Sequence, residues 1–430
     1  MSTNMTRITE SSPLRLLISL TGLLIAGLPA IGKDWPQFRG PQLDGKSTET
    51  GILKNWDTQP PKWLWTAEGM GAGYGGVAVV GGKIYTTGDL KDGQGVVAVD
   101  AKDGKVLWAT VLTEGAPKHG FEGSRCTPTV VGDQLWVTTS NGMIACLSTA
   151  GKVVWKKHFD KEWAGKMMSG WGYSESVLVD GKTVVCTPGG PTAMMVALDK
   201  DTGKELWKCP VPEFGKSGKA GAGYSSVVIS MAAGVKQYVQ MTGLGVIGVR
   251  ASDGKFLWGY DRSANKVANI SSPVIAGEHV FSSTAYGAGA GMVKLEKDGD
   301  GVKATEVYFL AADVLQNHHG GMVLVDGYLY GAHKQNGGDP FCLDVMTGKF
   351  MWGPVKALGG GSAAVTYADG HLIFRYQDGL VALMEATPKE FKPKGSFKPV
   401  FQEKESWAHP VVSDGRLYLR EQNKMMSYQL

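Results

Sequence analysis

Residues able to do chemistry are present in this chain, but few stand at the spacings that chemistry needs. His318 and His319 are adjacent, with no third ligand at metal spacing. Glu296, Asp298, Asp300 and Gly301 imitate the start of a calcium loop. The twelfth position of that loop, which must supply a bidentate carboxylate, is Val307, with Glu306 one place early. A solvated hairpin turn is expected there instead. Gly71-Ala-Gly-Tyr-Gly-Gly76 has the glycines of a dinucleotide loop, yet a strand pattern follows it, not the helix whose N-terminus would take a pyrophosphate. The chain contains no Gly-x-Ser-x-Gly nucleophile elbow and no Cys-x-x-Cys-His haem motif.

The five cysteines (126, 146, 186, 209 and 342) do not form a disulfide framework. Cys126 and Cys146 are expected on the first and third strands of one sheet unit, and Cys186 and Cys209 on the second and fourth of the next. An intervening strand then holds each pair nearly 10 Å apart, too far to bridge. They read as small buried residues.

What the chain repeats is a turn. Ala197 to Trp207 reads Ala-Leu-Asp-Lys-Asp-Thr-Gly-Lys-Glu-Leu-Trp, and versions of it recur from Ala98 to Trp108, Gly248 to Trp258 and Cys342 to Trp352, with a copy one residue shorter from Cys146 to Trp155. Each version is an apolar strand, an Asp-rich turn ending in Gly, and a second strand closing on Trp, which is the chemistry of a β-hairpin. Trp65, Trp108, Trp155, Trp207 and Trp258 are spaced at intervals of roughly 40 to 50 residues, and the gap to Trp352 holds two units, one of them degenerate. Such a period, with a Gly and aromatic signature in each unit, predicts four-stranded propeller blades. Eight inner-strand segments follow in order, from Val77–Tyr85 to Pro410–Tyr418, and the last unit has room for only three strands. Its fourth is expected to be the lone strand at Lys62–Trp65, so that the two ends of the chain close the ring.

Composition agrees with this reading. Gly supplies 61 of 430 residues, about twice the usual 7%, as tight turns in every unit require. A net charge of +4 without a basic stripe argues against nucleic acid as a partner. Arg7 and Arg15 precede an apolar run from Leu16 to Leu28, too short to span a bilayer, and Ala30-Ile-Gly32 offers a cleavage site. The expected organisation is a signal peptide over 1–32, an extended arm over 33–61 and an all-β eight-bladed propeller over 62–430. The protein is expected to be exported to the periplasm or beyond, as a monomer with no transmembrane anchor after cleavage. Trp35, in the arm, is expected to matter less for stability than Trp207 in a blade.

The Ala-x-Asp-x-x-Thr-Gly-Lys-x-x-Trp unit resembles the repeat of the pyrroloquinoline quinone (PQQ) type propellers, over Trp63 to Leu430. The resemblance implies that Trp108, Trp155, Trp207, Trp258 and Trp352 dock between neighbouring blades. Asp34-Trp-Pro-Gln-Phe-Arg-Gly-Pro41 also resembles the start of many bacterial secreted propellers of this superfamily. The superfamily includes quinoprotein alcohol dehydrogenases and non-enzymatic members such as the outer-membrane assembly propeller. This chain has neither the adjacent Cys-Cys pair of many of the dehydrogenases nor the lipidated Cys of the assembly protein.

Aligning the units on their Gly/Asp turns stacks Tyr74, Arg125, Tyr173, Tyr224, Ile270, His319, Ser362 and Trp407 in one rank where the inner strands begin. Two residues on, and so on the same strand face, stand Gly76, Thr127, Glu175, Ser226, Ser272, Gly321, Ala364 and His409. The axis is crowded and favours Gly, Ala and Ser, so Glu175 and His409 are the exceptions. The first rank lies at the face of the long connections, where binding residues concentrate. The expectation is a non-catalytic scaffold with an axial mouth built from Tyr74, Arg125, Tyr173, Glu175, Tyr224, His319, Trp407 and His409, which takes a protein, peptide or small-molecule ligand. In it His409 and Trp407 approach Tyr74, and Arg125 approaches Tyr173 and Glu175. The alternative that the resemblance implies is a quinoprotein dehydrogenase, with PQQ near the axis and calcium held by Glu175 and Asn269. No cofactor or metal site is expected on the residues alone.

Overall fold

A computed structural model describes residues 34–430 together with Met1 and Ser2. The expected signal peptide lies outside the described residues. Among those described, the strands form eight four-stranded antiparallel sheets. Blades 1 to 7 span 78–111, 129–158, 178–209, 228–260, 274–310, 322–352 and 363–397, and blade 8 combines 411–429 with the strand Lys62–Glu68. That strand runs antiparallel to Lys424–Gln429, from the Lys62 and Gln429 pair to the Glu68 and Lys424 pair. The chain ends thus close an eight-bladed β-propeller.

The blades stack face to face, which explains why their middle strands are apolar on both sides and do not alternate. One buried cluster fills each seam. Ala98 and Tyr85 of blade 1 meet Leu135 and Val137 of blade 2, and the pattern runs round to the last seam, where Val97 and Val99 of blade 1 meet Tyr418 and Met425 of blade 8. All five cysteines are free and buried among these side chains.

The repeated Gly and Trp are two halves of one joint. In blade 3, Asp199 accepts from the backbone and hydroxyl of Thr202, and Gly203 follows at φ +69. A Cβ at Gly203 would come within 2.7 Å of the Trp155 ring of blade 2, so the position is restricted to Gly by both dihedral and space. The same fit joins Trp65 to Gly104, Trp108 to Gly151 and Trp207 to Gly254. The indole N–H groups of Trp108, Trp155, Trp207 and Trp352 donate to carbonyls of the next blade's turn, at Thr149, Lys200, Ala251 and Thr387. Trp258 differs: it donates to Gln237 within its own blade, because blade 5 replaces the repeat turn with a long hairpin, Gly289–Asp298 and Gly301–Leu310. Asp300 in that hairpin pairs with Arg250 and Lys255, so the imitation calcium loop is a solvated turn. Tyr308 takes the place of blade 5's tryptophan against Gly348.

The arm is not peripheral. Trp35 exchanges backbone hydrogen bonds with Val79 of blade 1, and the chain then passes beneath the axis on the short-turn face. Arg39 reaches the Met322 carbonyl of blade 6, Lys46 bridges to Tyr367 of blade 7, and Ser47 donates to the Val412 carbonyl of blade 8. Trp35 is 3% exposed and Trp56 2%, whereas Trp207 is only partly buried. The arm tryptophan is thus buried more deeply than the blade tryptophan, the reverse of what the expectation about their weights assumed.

Candidate binding site

Where the inner strands converge, the axis opens into a cavity of about 340 Å³ on the face of the long connections. Its lower belt is made of small residues tied blade to blade: Thr127 N–H donates to Ser176 Oγ, Ser176 N–H to Ser226 Oγ, and Ser226 N–H to Ser272 Oγ. Crowding dictates their size, since a Cβ at Gly76 would come within 2.7 Å of Thr127 Oγ1.

Above this belt, rings pass from blade to blade. Tyr74 lies 4.6 Å from Trp407, Trp407 5.0 Å from His319, His319 4.2 Å from His318, and His318 5.3 Å from Tyr286, all between centroids. Tyr286 stacks on Trp171 at 6.3 Å, and Trp171 lies 5.8 Å from Tyr224. Arg125 closes the circle, lying over the Tyr74 ring at 5.7 Å and donating to the Trp171 carbonyl at 2.6 Å. Phe121 adds a rim contact to Trp407 at 5.0 Å. Phe121 and Tyr286 hold their rings there on left-handed backbone, at φ +52 and +58.

Tyr74, Arg125, Tyr224, His319, Trp407 and His409 all line this cavity. Tyr173 and Glu175 do not, and the reason is register. Tyr173 N–H is bound by the Ser140 carbonyl, and its ring packs on Phe159 of the short helix Phe159–Trp163, with its hydroxyl on the Pro188 carbonyl. Counted from the turn, blade 3 keeps the register of the other blades: Ser174 precedes Asp180 by the same interval as Tyr74 precedes Val80 and His319 precedes Val325. Ser174 and Ser176 therefore take the axial positions, and Tyr173 and Glu175 fall one residue out of rank, with Glu175 behind the wall. There Glu175 accepts from Thr187 N–H and hydroxyl, both at 2.7 Å, and from Gln240 at 3.0 Å. Burial pushes its carboxyl up to about 8. The expected approach of Arg125 to Tyr173 and Glu175 is replaced by bonds from Arg125 to the carbonyls of Gly120, Phe121 and Trp171. Arg125 thus fixes the connection entering blade 2.

Trp171, Tyr286 and Phe121 escaped sequence reasoning because all three sit on connections outside the aligned strands, and His318, noted only for its lack of a metal partner, stands one place before the aligned His319. The signal available for them was the aromatic content of the long connections.

Burial lowers Arg39 and Arg125 to about 10 each, still cationic at neutral pH. It also lowers His318 and His409 to about 4 and His319 well below its ordinary value. Cations and neutral rings therefore face the ligand space, with Glu405 as the lining carboxylate. The groups expected to hold calcium beside a quinone do not fit that task. The oxygens of Glu175 are engaged behind the wall. The Asn269 side chain accepts from Asn265 N–H and donates to the Thr242 and Gly243 carbonyls. No group of three or more His, Cys, Asp or Glu that could hold a metal occurs among the described residues.

The PQQ_2 family, described as outer membrane protein assembly factor BamB, matches residues 94–354, more than half of the chain. Quinoprotein ethanol dehydrogenase of Pseudomonas aeruginosa is 30% identical over 154 residues, which cover 31% of this chain and 22% of that enzyme. A quinone-dependent 1-butanol dehydrogenase of Thauera butanivorans is 29% identical over 146 residues, covering 32% of this chain and 23% of that one. The chain thus spans less than a quarter of the length of the curated relatives it matches. Among solved structures, a quinohemoprotein alcohol dehydrogenase from Pseudomonas putida superposes with TM-score 0.62 at 14% identity, over 93% of this chain and 80% of that one. A europium-containing methanol dehydrogenase gives 0.61 at 12%, over 93% and 98%. At these identities the structural likeness speaks for the fold alone.

Proposed function

We propose that this chain, which belongs to the PQQ_2 family of propellers described as outer membrane protein assembly factor BamB, is an exported binding scaffold that holds a flat, largely apolar small molecule in its axial cavity. The observation that carries this reading is the circle of rings and Arg125 around a space of about 340 Å³, within the range of small-ligand sites and lined as they usually are. Flat apolar walls exclude water and stack on flat ligands, at about 0.5 to 1.5 kcal/mol per aromatic pair beyond area burial. Arg125 and the left-handed rim residues hold the walls in place before the ligand arrives, which lowers the ordering cost of binding. The apolar run Leu16–Leu28 supports export, and a single chain closing its own ring supports a monomer.

The names of the relatives favour an oxidoreductase as the second reading. Alcohol oxidation would need a base within reach of the substrate hydroxyl. Both ring nitrogens of His318 are engaged, by Ser362 and Tyr286, and Glu175 is turned away, which leaves Glu405 as the lining carboxylate that this reading would need as its base. The test is reconstitution: protein mixed with calcium and PQQ, passed through gel filtration and assayed with alcohols and a dye acceptor. Binding without turnover requires no alcohol-dependent dye reduction, and sustained reduction would replace this reading with the second one.

A further inference from the structure

The floor of the cavity comes from the arm and not from the blades. After pairing with blade 1 at Trp35, the chain turns beneath the axis and sends Phe38 and Arg39 up into it, so the ligand space is closed at the short-turn end. Arg39 is 6% exposed. Its Nε donates to the Leu43 carbonyl at 3.3 Å and its Nη2 to the Met322 carbonyl, but its Nη1 is buried with no partner. No ion pair to Arg39 occurs among the described residues. Asp44, the carboxylate that acts on it electrostatically, is instead in contact with Lys46 at 2.9 Å.

Nη1 packs close to Gly321, where a Cβ would come within 2.4 Å of it, so only a glycine lets the guanidinium take this position at the floor of the cavity. His319, two residues earlier on the same wall, has a second buried nitrogen without a partner, Nε2. His409 lies between these groups, its ring 5.1 Å from Phe38 and its Nε2 facing the His319 carbonyl at 3.4 Å. A guanidinium N–H withdrawn from water and left without an acceptor is costly and asks for an explanation; Arg375 Nε is another such donor, but Arg375 does not line the cavity as Arg39 does. Arg125 is in a different position, because its donors are spent on backbone carbonyls.

We propose that Arg39 is the anion-binding residue of this site. Its free Nη1, with His319 Nε2 as a second donor in the tautomer protonated there, receives an oxyanion of the ligand, a carboxylate in the simplest case, while the ligand's flat body lies against Trp407 and Tyr224. This inference rests on the cavity reading above and extends it: the ligand enters from the face of the long connections with its charged end leading, toward a floor that the arm supplies. A carboxylate on a buried guanidinium makes a charge-assisted hydrogen bond stronger than a neutral amide can. The positive lining favours the anion before contact.

The test uses 2-naphthoate and 2-naphthamide, matched in shape and different in charge, titrated calorimetrically into the full chain. Naphthoate should bind about tenfold tighter or more. Arg39→Gln should bring the two affinities together by weakening naphthoate far more than naphthamide, whose neutral carbonyl loses a weaker hydrogen bond than the carboxylate does. Equal binding of the pair by the unaltered protein, or a preference that survives in Arg39→Gln, would overturn the anion site. If Arg39→Gln does not fold, sodium sulfate as competitor decides: it should weaken naphthoate and spare naphthamide, and equal weakening of both would count against Arg39. A water molecule on Nη1 in place of a ligand oxygen would leave the pair equal. Binding of neither compound would overturn the aromatic cavity itself and the anion site with it, whereas binding without preference for charge removes only the latter.

Discussion

Glu175 shows how one residue of register separates a site from a structural position. The repeat alignment placed Tyr74, Tyr224 and Trp407 on the axis because their strands start at equal distances from their turns. In blade 3 the turn is Gly181-Lys182 and Asp180 is still in the strand, whereas in blades 6 to 8 the Asp opens the turn. Aligning Asp180-Gly181 with those turns brings Tyr173 and Glu175 into rank one residue early, and the alternation of the strand puts the carboxyl on the far side of the wall. There it is 2% exposed with no cationic partner among the described residues, and burial raises it to about 8. A carboxyl with a folded pKa above its unfolded value, about 4.3, contributes stability fully below the unfolded value, and that contribution is lost as pH rises toward and through about 8. The expected difference between the protein and its Glu175→Gln variant is therefore a stability gap that changes by roughly 4 kcal/mol between pH 5 and 8.5, the wild type falling relative to the variant. Urea unfolding of both at the two pH values measures it, and parallel pH curves would mean that Glu175 is charged and solvated. Ligand binding should be unaffected by Glu175→Gln, because the side chain does not face the cavity.

At the scale of the element, the hairpins were legible and the arm was not. The Asp, Gly and Trp of each repeat declare both the turn and its joint with the next blade, because a glycine at positive φ beneath an indole is a local requirement that sequence must meet. The degenerate unit, in which Tyr308 stands for tryptophan and Trp258 turns to Gln237, was visible only as a missing period. The segment from residue 34 to 61 has no period at all, since it is shaped by the surface it crosses, and its apolar residues could not be assigned a depth. With Trp35 3% exposed in the seam between blades 8 and 1, Trp35→Ala should cost about 3 to 5 kcal/mol, as large aromatic truncations in cores do. Trp207→Ala should cost less, because its ring is only partly buried. Denaturant midpoints of the two variants decide the order, and a larger loss at Trp207 would mean that the arm detaches without unfolding the ring.

Residues 34–430 form a ring closed by the pairing of Lys62–Glu68 with Lys424–Gln429 and plugged from beneath by the arm. The closing seam is reinforced by arginines. Arg420 of blade 8 donates to Thr87 and Gly71 carbonyls beside blade 1, Arg416 reaches the Ala101 carbonyl, and Arg375 of blade 7 pairs with Glu421 at 2.8 Å, both side chains 1% exposed. Such buried guanidinium contacts fix one arrangement, because breaking any of them strands a charge or a carbonyl away from water. They hold blades 7, 8 and 1 together around Tyr74 and Trp407, so the closure of the fold and the wall of the cavity are one construction. The most direct test of the central claim, that this cavity is the binding site, is a crystal structure of the full chain grown with 2-naphthoate. The account predicts the naphthalene ring against Trp407 and Tyr224, inside the circle of aromatic side chains, with its carboxylate toward Arg39. An empty axial cavity beside naphthoate bound elsewhere on the protein would contradict it.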